Sequence, residues 1–228
     1  MNRIKLFLII IAIAFFYYGC DSSGKTIHID QETKDYCLFK QGSYWVYQDS
    51  ATLETDSIVI KTNPYFTSGT GGGSTDAKEI YTFDTEIYSN NIFATFFSSI
   101  FPGMEAEFDT QKPIWFFLNS ASSNIINYYY TYYTYHNGDI GSYYNSNIFF
   151  DNDFYSQYVS FYENYMLNDI SYQNVKVFNL SEDSMPASTT TKLYWAKHIG
   201  LIRIEDYSDT TKVSVKNLIR YSVENYEN

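Results

Sequence analysis

The sequence predicts an all-β fold of antiparallel strands in a single domain, and three observations carry that prediction. Among 228 residues there are 25 Tyr and 18 Phe, side chains that suit a pleated, half-buried surface better than a helix. Apolar and polar residues alternate with period two in several stretches, separated by short runs rich in Gly, Asn and Asp. No spacing leaves room for repeated crossover helices, which speaks against a doubly wound parallel sheet.

The chain opens on something else. Arg3 and Lys5 precede an apolar run from Leu6 to Tyr18, which ends in Gly19 and Cys20. That is the order of an export leader: charged region, apolar region, processing site. As a helix the run spans roughly 20 Å, short of the ~30 Å of hydrocarbon in a bilayer, so it reads as a leader and not as a permanent transmembrane helix. Gly19-Cys20 resembles the lipobox of bacterial lipoproteins, although Tyr17 and Tyr18 depart from its usual pattern. The resemblance implies a diacylglycerol on the Cys20 thiol and cleavage just ahead of it. The alternative is a conventional cleavage and a disulfide between Cys20 and Cys37, the two cysteines of the chain. If Cys20 is lipidated, Cys37 is expected to be a small buried hydrophobe.

With residues 1–19 as a lipoprotein signal peptide, residues 20–35 read as a polar tether and 36–228 as the antiparallel β domain. The first strand signal follows the turn in Phe39-Lys40-Gln41-Gly42-Ser43-Tyr44-Trp45-Val46-Tyr47. Thr67 to Thr75 holds four glycines and reads as a mobile hairpin loop; it lacks the strand–helix context and the sixth-position Gly of a phosphate cradle. Tyr81, Phe83 and Ile87 share one parity, opposite Thr82, Asp84 and Glu86, which makes a strand with one dry face. Asn137-Gly138 supplies the positive φ values of a two-residue hairpin, and Asn168-Asp169 and Ser208-Asp209 are weaker signals of that kind.

Phe154, Tyr158, Phe161 and Tyr165 admit a helix by spacing, behind a cap at Asp153. Their aromatic and β-branched neighbours favour a strand over Tyr158 to Leu167, and we take that reading. Residues 189–223 read as three successive strands turning at Lys197-His198-Ile199-Gly200 and at Ser208-Asp209. In the last of them, Val213, Val215, Ile219 and Tyr221 lie on the dry parity together with Asn217.

Three stretches resemble a group of Bacteroidetes-type cell-envelope lipoproteins: Phe39 to Tyr47, Tyr172 to Phe178, and Tyr194-Trp195-Ala196-Lys197-His198-Ile199-Gly200-Leu201-Ile202-Arg203 ahead of Leu218 to Tyr221. The resemblance covers the two ends of the domain. It implies an antiparallel meander that curls into an open barrel or half-barrel, and it transfers no catalytic residue.

The residues offer little chemistry. His28, His136 and His198 have no second ligand at metal spacing, so no metal or other cofactor is expected. Glu105, Glu107 and Asp109 share one face of a strand and read as solvated, and Asp151-Asn152-Asp153 departs from an EF-hand loop at Tyr155 and Tyr162. The aromatic tract offers the one ligand-binding candidate: Tyr128, Tyr130, Tyr132, Tyr133 and Tyr135, whose rings, if solvent-facing, would stack on a glycan or a protein partner.

A formal charge of -11, from 15 basic and 26 acidic residues, argues against nucleic acid as a partner. The reading is therefore a non-enzymatic lipoprotein, anchored by its N-terminal lipid in the outer membrane of a bacterial envelope, with a binding or scaffolding role. The alternatives are an integral outer-membrane β-barrel of eight to ten strands and a hydrolase whose site is assembled in space.

Overall fold

The computed structural model describes residues 26–28, 31–69, 77–89, 92–102, 111–117, 130–133, 143–146, 154–182, 191–207 and 213–225. The elements are β1 (Thr26–Ile27), α1 (Gln31–Cys37), β2 (Tyr44–Asp49), β3 (Thr55–Ile60), β4 (Tyr65–Gly69), β5 (Ala77–Ser89), β6 (Ile92–Pro102), β7 (Gln111–Phe117), β8 (Tyr130–Tyr133), β9 (Tyr143–Ser146), β10 (Phe154–Leu167), β11 (Ile170–Glu182), β12 (Thr191–Ala196), β13 (Gly200–Asp206) and β14 (Ser214–Ser222).

They form one open sheet in the order β8-β7-β6-β5-β3-β2-β14-β13-β12-β11-β10-β9. Every pair on that path is antiparallel; β4 adds to β5 antiparallel, and the two-residue β1 pairs with β5 in parallel. The expected meander is thus two meanders, one from β2 to β8 and one from β9 to β14. They are joined where β2 pairs with β14, in a register that sets Trp45 opposite Tyr221.

The turn chemistry appears where the residues indicated it. Asn168 and Asp169 take φ of 50° and 63° in the two-residue loop between Leu167 and Ile170, the backbone that a type I′ hairpin requires. His198 at 63° and Gly200 at 94° close the β12–β13 turn. Residues 154–167 are a strand and not a helix, because their rings gain more from cross-strand packing than from helical stacking. The Asn137-Gly138 and Ser208-Asp209 turns, the tip of the glycine loop and both acidic clusters lie outside the described residues.

Two local expectations change. The tether is shorter than residues 20–35, since Thr26–Ile27 already pair with β5 and Thr33, Lys34 and Tyr36 of α1 are buried. Near the C-terminus the register shifts between Leu218 and Arg220, with Ile219 as the extra residue. Leu218 is consequently the buried residue while Val213 and Ile219 are exposed; a bulge exchanges the faces, which counting by two cannot foresee.

Trp45, Trp195, Tyr36, Tyr172, Phe39, Phe83 and Phe178 are the largest fully buried side chains. Aromatic cores of this size supply most of the stabilisation through the area they remove from water, at about 25 cal/mol per Å². Phe39 and Trp45 meet edge to face with centroids 5.2 Å apart, and Tyr158 stacks on Phe178 at 5.2 Å. Cys37 lies in the same cluster, completely buried, as expected for a small hydrophobe.

β14 pairs with β13 only from Arg203 to Asp206. Beyond that, two carbonyls of β13 and its turn are taken by side chains from β2: Trp45 Nε1 donates to Ile199 O at 2.6 Å and Tyr47 OH to Leu201 O at 2.8 Å. The aromatic side chains close the gap where the strands diverge, since buried carbonyls need donors.

Candidate functional site

α1 has only seven residues, too few to hold a helix unaided in water. Gln31 Nε2 reaches Asp35 Oδ1 at 2.8 Å one turn on, but contacts with the sheet fix the helix. On one side Lys34 Nζ lies 2.8 Å from Glu79 Oε1 of β5 and over the Tyr81 ring at 5.3 Å. On the other, Lys176 Nζ of β11 lies 2.5 Å from Glu32 Oε1 and over the Tyr36 ring at 4.8 Å. Tyr36 OH donates to Asn174 O at 2.7 Å, and the Asp35 carbonyl accepts from His198 N at 2.7 Å.

β5 and β11 are six strands apart in the path, or about 29 Å on a flat sheet at ~4.8 Å per strand. A helix of two turns touches both, so the sheet must wrap around it. α1 sits in the curl of the half-barrel and ties its two flanks together.

The electrostatics explain why these charges tolerate burial. Lys34 and Glu79 are both almost wholly removed from water, a placement that is tolerable only for a paired, hydrogen-bonded couple. His28, largely solvated, stands 3.3 Å from the other Glu79 oxygen. Burial drives the Tyr36 hydroxyl far above the ordinary phenol range, with the Glu32 carboxylate adding to the effect.

A second cluster joins β12 and β13. Glu205 accepts from Arg203 Nε and Nη2, each at 2.7 Å, from Tyr207 OH at 2.6 Å and from Tyr194 OH at 3.2 Å. Burial alone would raise the Glu205 carboxyl, but the Tyr207 hydrogen bond and the Arg203 charge outweigh it, and the group is held below its usual range. Tyr207, sharing its proton with that carboxylate, is pushed up to about 12. Four donors on one carboxylate make an ionised acceptor, not a proton donor poised near neutrality. Both clusters hold shape. Among the described residues, no group of three His, Cys, Asp or Glu side chains is placed to hold a metal ion.

A third feature is apolar and solvated. Met166 is 62% exposed, Ile170 43%, Tyr162 42% and Phe161 39%, all on the hairpin of β10 and β11. Among the described residues β9 pairs with β10 only as far as Gln157, and the hairpin runs on past it to its turn.

Of the predicted site residues, Cys20, Tyr128 and Tyr135 lie outside the described residues. Tyr130, Tyr132 and Tyr133 belong to β8, paired with Phe117, Trp115 and Ile114 of β7; the exposure of their side chains falls outside the described residues as well. Sequence reasoning missed the α1 clamp. One signal was present: Glu79 shares the parity of Tyr81 and Phe83, and an acid on a dry parity needs an internal cation.

No family model matches the chain, and no curated protein matches it. Similar solved structures include one assigned as a lipoprotein from Parabacteroides distasonis, 12% identical, covering 81% of this chain and 97% of that one with a TM-score of 0.37. Another, assigned as an exported protein with a YmcC-like fold from Bacteroides fragilis, is 9% identical and covers 82% and 98% with a TM-score of 0.41.

Proposed function

We propose that this protein is an envelope lipoprotein, exported by its leader, held by a lipid on Cys20 in the outer membrane, and working as a non-enzymatic binding or scaffolding module. The observation that carries the proposal is the leader itself. Arg3 and Lys5, thirteen apolar residues and Gly19 place a thiol at the one position where lipidation occurs. The architecture is compatible with it: a curled sheet plugged by a helix, with charges locked in pairs, makes a rigid body that presents surfaces. Tyr128, Tyr130, Tyr132, Tyr133 and Tyr135 remain the proposed contact for a glycan or protein partner.

An integral barrel is the weaker reading. Outer-membrane barrels are apolar outside and polar within, whereas here Trp45, Phe83 and Trp195 fill the core and the described sheet is open. Labelled fatty acid should enter the wild type and be absent from Cys20→Ala, and alkaline carbonate should release only the variant from membranes. Label retained by Cys20→Ala refutes the anchor; resistance of that variant to carbonate favours the barrel.

A further inference from the structure

We infer that the β10–β11 hairpin is a second membrane contact, lying against the bilayer in which the lipid on Cys20 is embedded; this rests on the anchor proposed above. The first premise is reach. Five residues stand between Cys20 and Thr26, where the chain enters the sheet beside Ala77 and Lys78, and the six steps from Cα to Cα span at most about 20 Å. The body is held close to the lipid, with β1 and the N-terminal end of β5 nearest.

The second premise is register. Ile60 pairs with Thr85, Tyr44 with Val59, Ser222 with Tyr44, Ala196 with Gly200 and Val175 with Ala196. Followed across the antiparallel pairs, the N-terminal end of β5 and the Leu167–Ile170 turn fall at the same end of the sheet. The β2–β3 turn, with Leu53, falls at the opposite end. Curling does not separate the first two, because α1 bonds through Lys34 to Glu79 beside β1 and through Glu32 to Lys176 at the base of the hairpin. Anchor entry and hairpin base lie within one short helix of each other.

The third premise is surface chemistry. Met166, Ile170, Tyr162 and Phe161 leave apolar area in water on one hairpin, and a thioether, an aliphatic chain and a phenol suit the boundary of headgroup and acyl chain. Asp169 occupies the apex and Glu163 the flank, so the hairpin lies on its side and does not enter tip first. The contact is apolar and needs no anionic lipid, in keeping with the excess of acidic over basic residues, 26 against 15 in the whole sequence and wider once Arg3 and Lys5 leave with the leader.

The test uses the full-length, lipidated chain reconstituted in phosphatidylcholine vesicles. A bimane fluorophore is placed at Met166→Cys, at Ile170→Cys as a second position on the hairpin, or at Leu53→Cys. Leu53 is 67% exposed, as apolar as the hairpin but at the far end, so it controls for hydrophobicity without proximity. Brominated lipid should quench positions 166 and 170 several-fold more than position 53. Equal or absent quenching at 166 and 170 in protein whose mass shows the lipid overturns the hairpin contact and leaves the anchor standing. An unmodified Cys20 by mass overturns the anchor, and the contact with it.

Discussion

Replacing Lys34 with Met tests whether α1 is a structural clamp. The change keeps the length of the side chain and removes its charge, taking from the buried Glu79 carboxylate the cation that stands 2.8 Å away, while the solvated His28 stays at 3.3 Å. Removing one partner of a buried ion pair costs about 3–5 kcal/mol, because the remaining charge keeps its desolvation penalty and loses its counter-ion. In a domain of this size 1 kcal/mol moves Tm by about 2–4 °C, so a drop of roughly 6–20 °C is expected. Thermal unfolding of purified protein, followed by far-UV circular dichroism and Trp fluorescence, reads it, with urea titration giving the free energy.

The double variant Lys34→Met/Glu79→Met distinguishes this cause from simple loss of packing. With both charges gone, two apolar side chains meet across the same gap and most of the stability should return. A single-variant cost below about 1 kcal/mol, or a double variant as poor as the sum of the two singles, refutes the reasoning.

Three further outcomes follow from the same contacts. Gly200→Ala should cost about 1–3 kcal/mol in urea unfolding, because φ at 94° disfavours a Cβ and that atom would stand 3.3 Å from the Phe39 ring. Trp45→Phe keeps an aromatic side chain but is smaller than the buried indole and strips the Ile199 carbonyl of its 2.6 Å donor, and about 1–3 kcal/mol should be lost through the hydrogen bond alone. Asp49 is held at about 2, against an ordinary 3.8: its modest burial raises it, but hydrogen bonds from the Thr52 backbone, Ser214 and the Ala51 backbone lower it further. A depressed carboxyl stabilises the fold above its unfolded value and ceases to do so as pH falls through the folded one. Asp49→Ala should therefore cost about 1–2 kcal/mol at neutral pH, after allowance for solvent screening, and the two proteins should converge near pH 2 in pH-dependent urea melts.

The strands and the turns at Asn168-Asp169 and at His198 to Gly200 were legible because their causes are local. Period two at Tyr81 and Phe83 reports a dry face, and Asn168-Asp169 reports positive φ, whatever the rest of the chain does. The bulge at Ile219 was not legible, since one extra residue depends on the partner strand and leaves no mark in the alternation. α1 was hidden for a similar reason. Gln31 to Cys37 is too short to show helical periodicity, and its polar composition matches a tether until Glu79 and Lys176 are brought to it.

By itself the sequence determined the class of fold and the dry face at Tyr81 and Phe83, both properties of residues a few positions apart. Only the tertiary structure decided that β2 and β14 join two meanders, that the sheet curls about α1, and that Met166 lies at the end of the molecule where the chain enters the sheet. Those facts depend on pairings more than a hundred residues apart, as between Trp45 and Tyr221. The entropy of closing such loops is recovered only when the whole core forms, so no short stretch of chain encodes them.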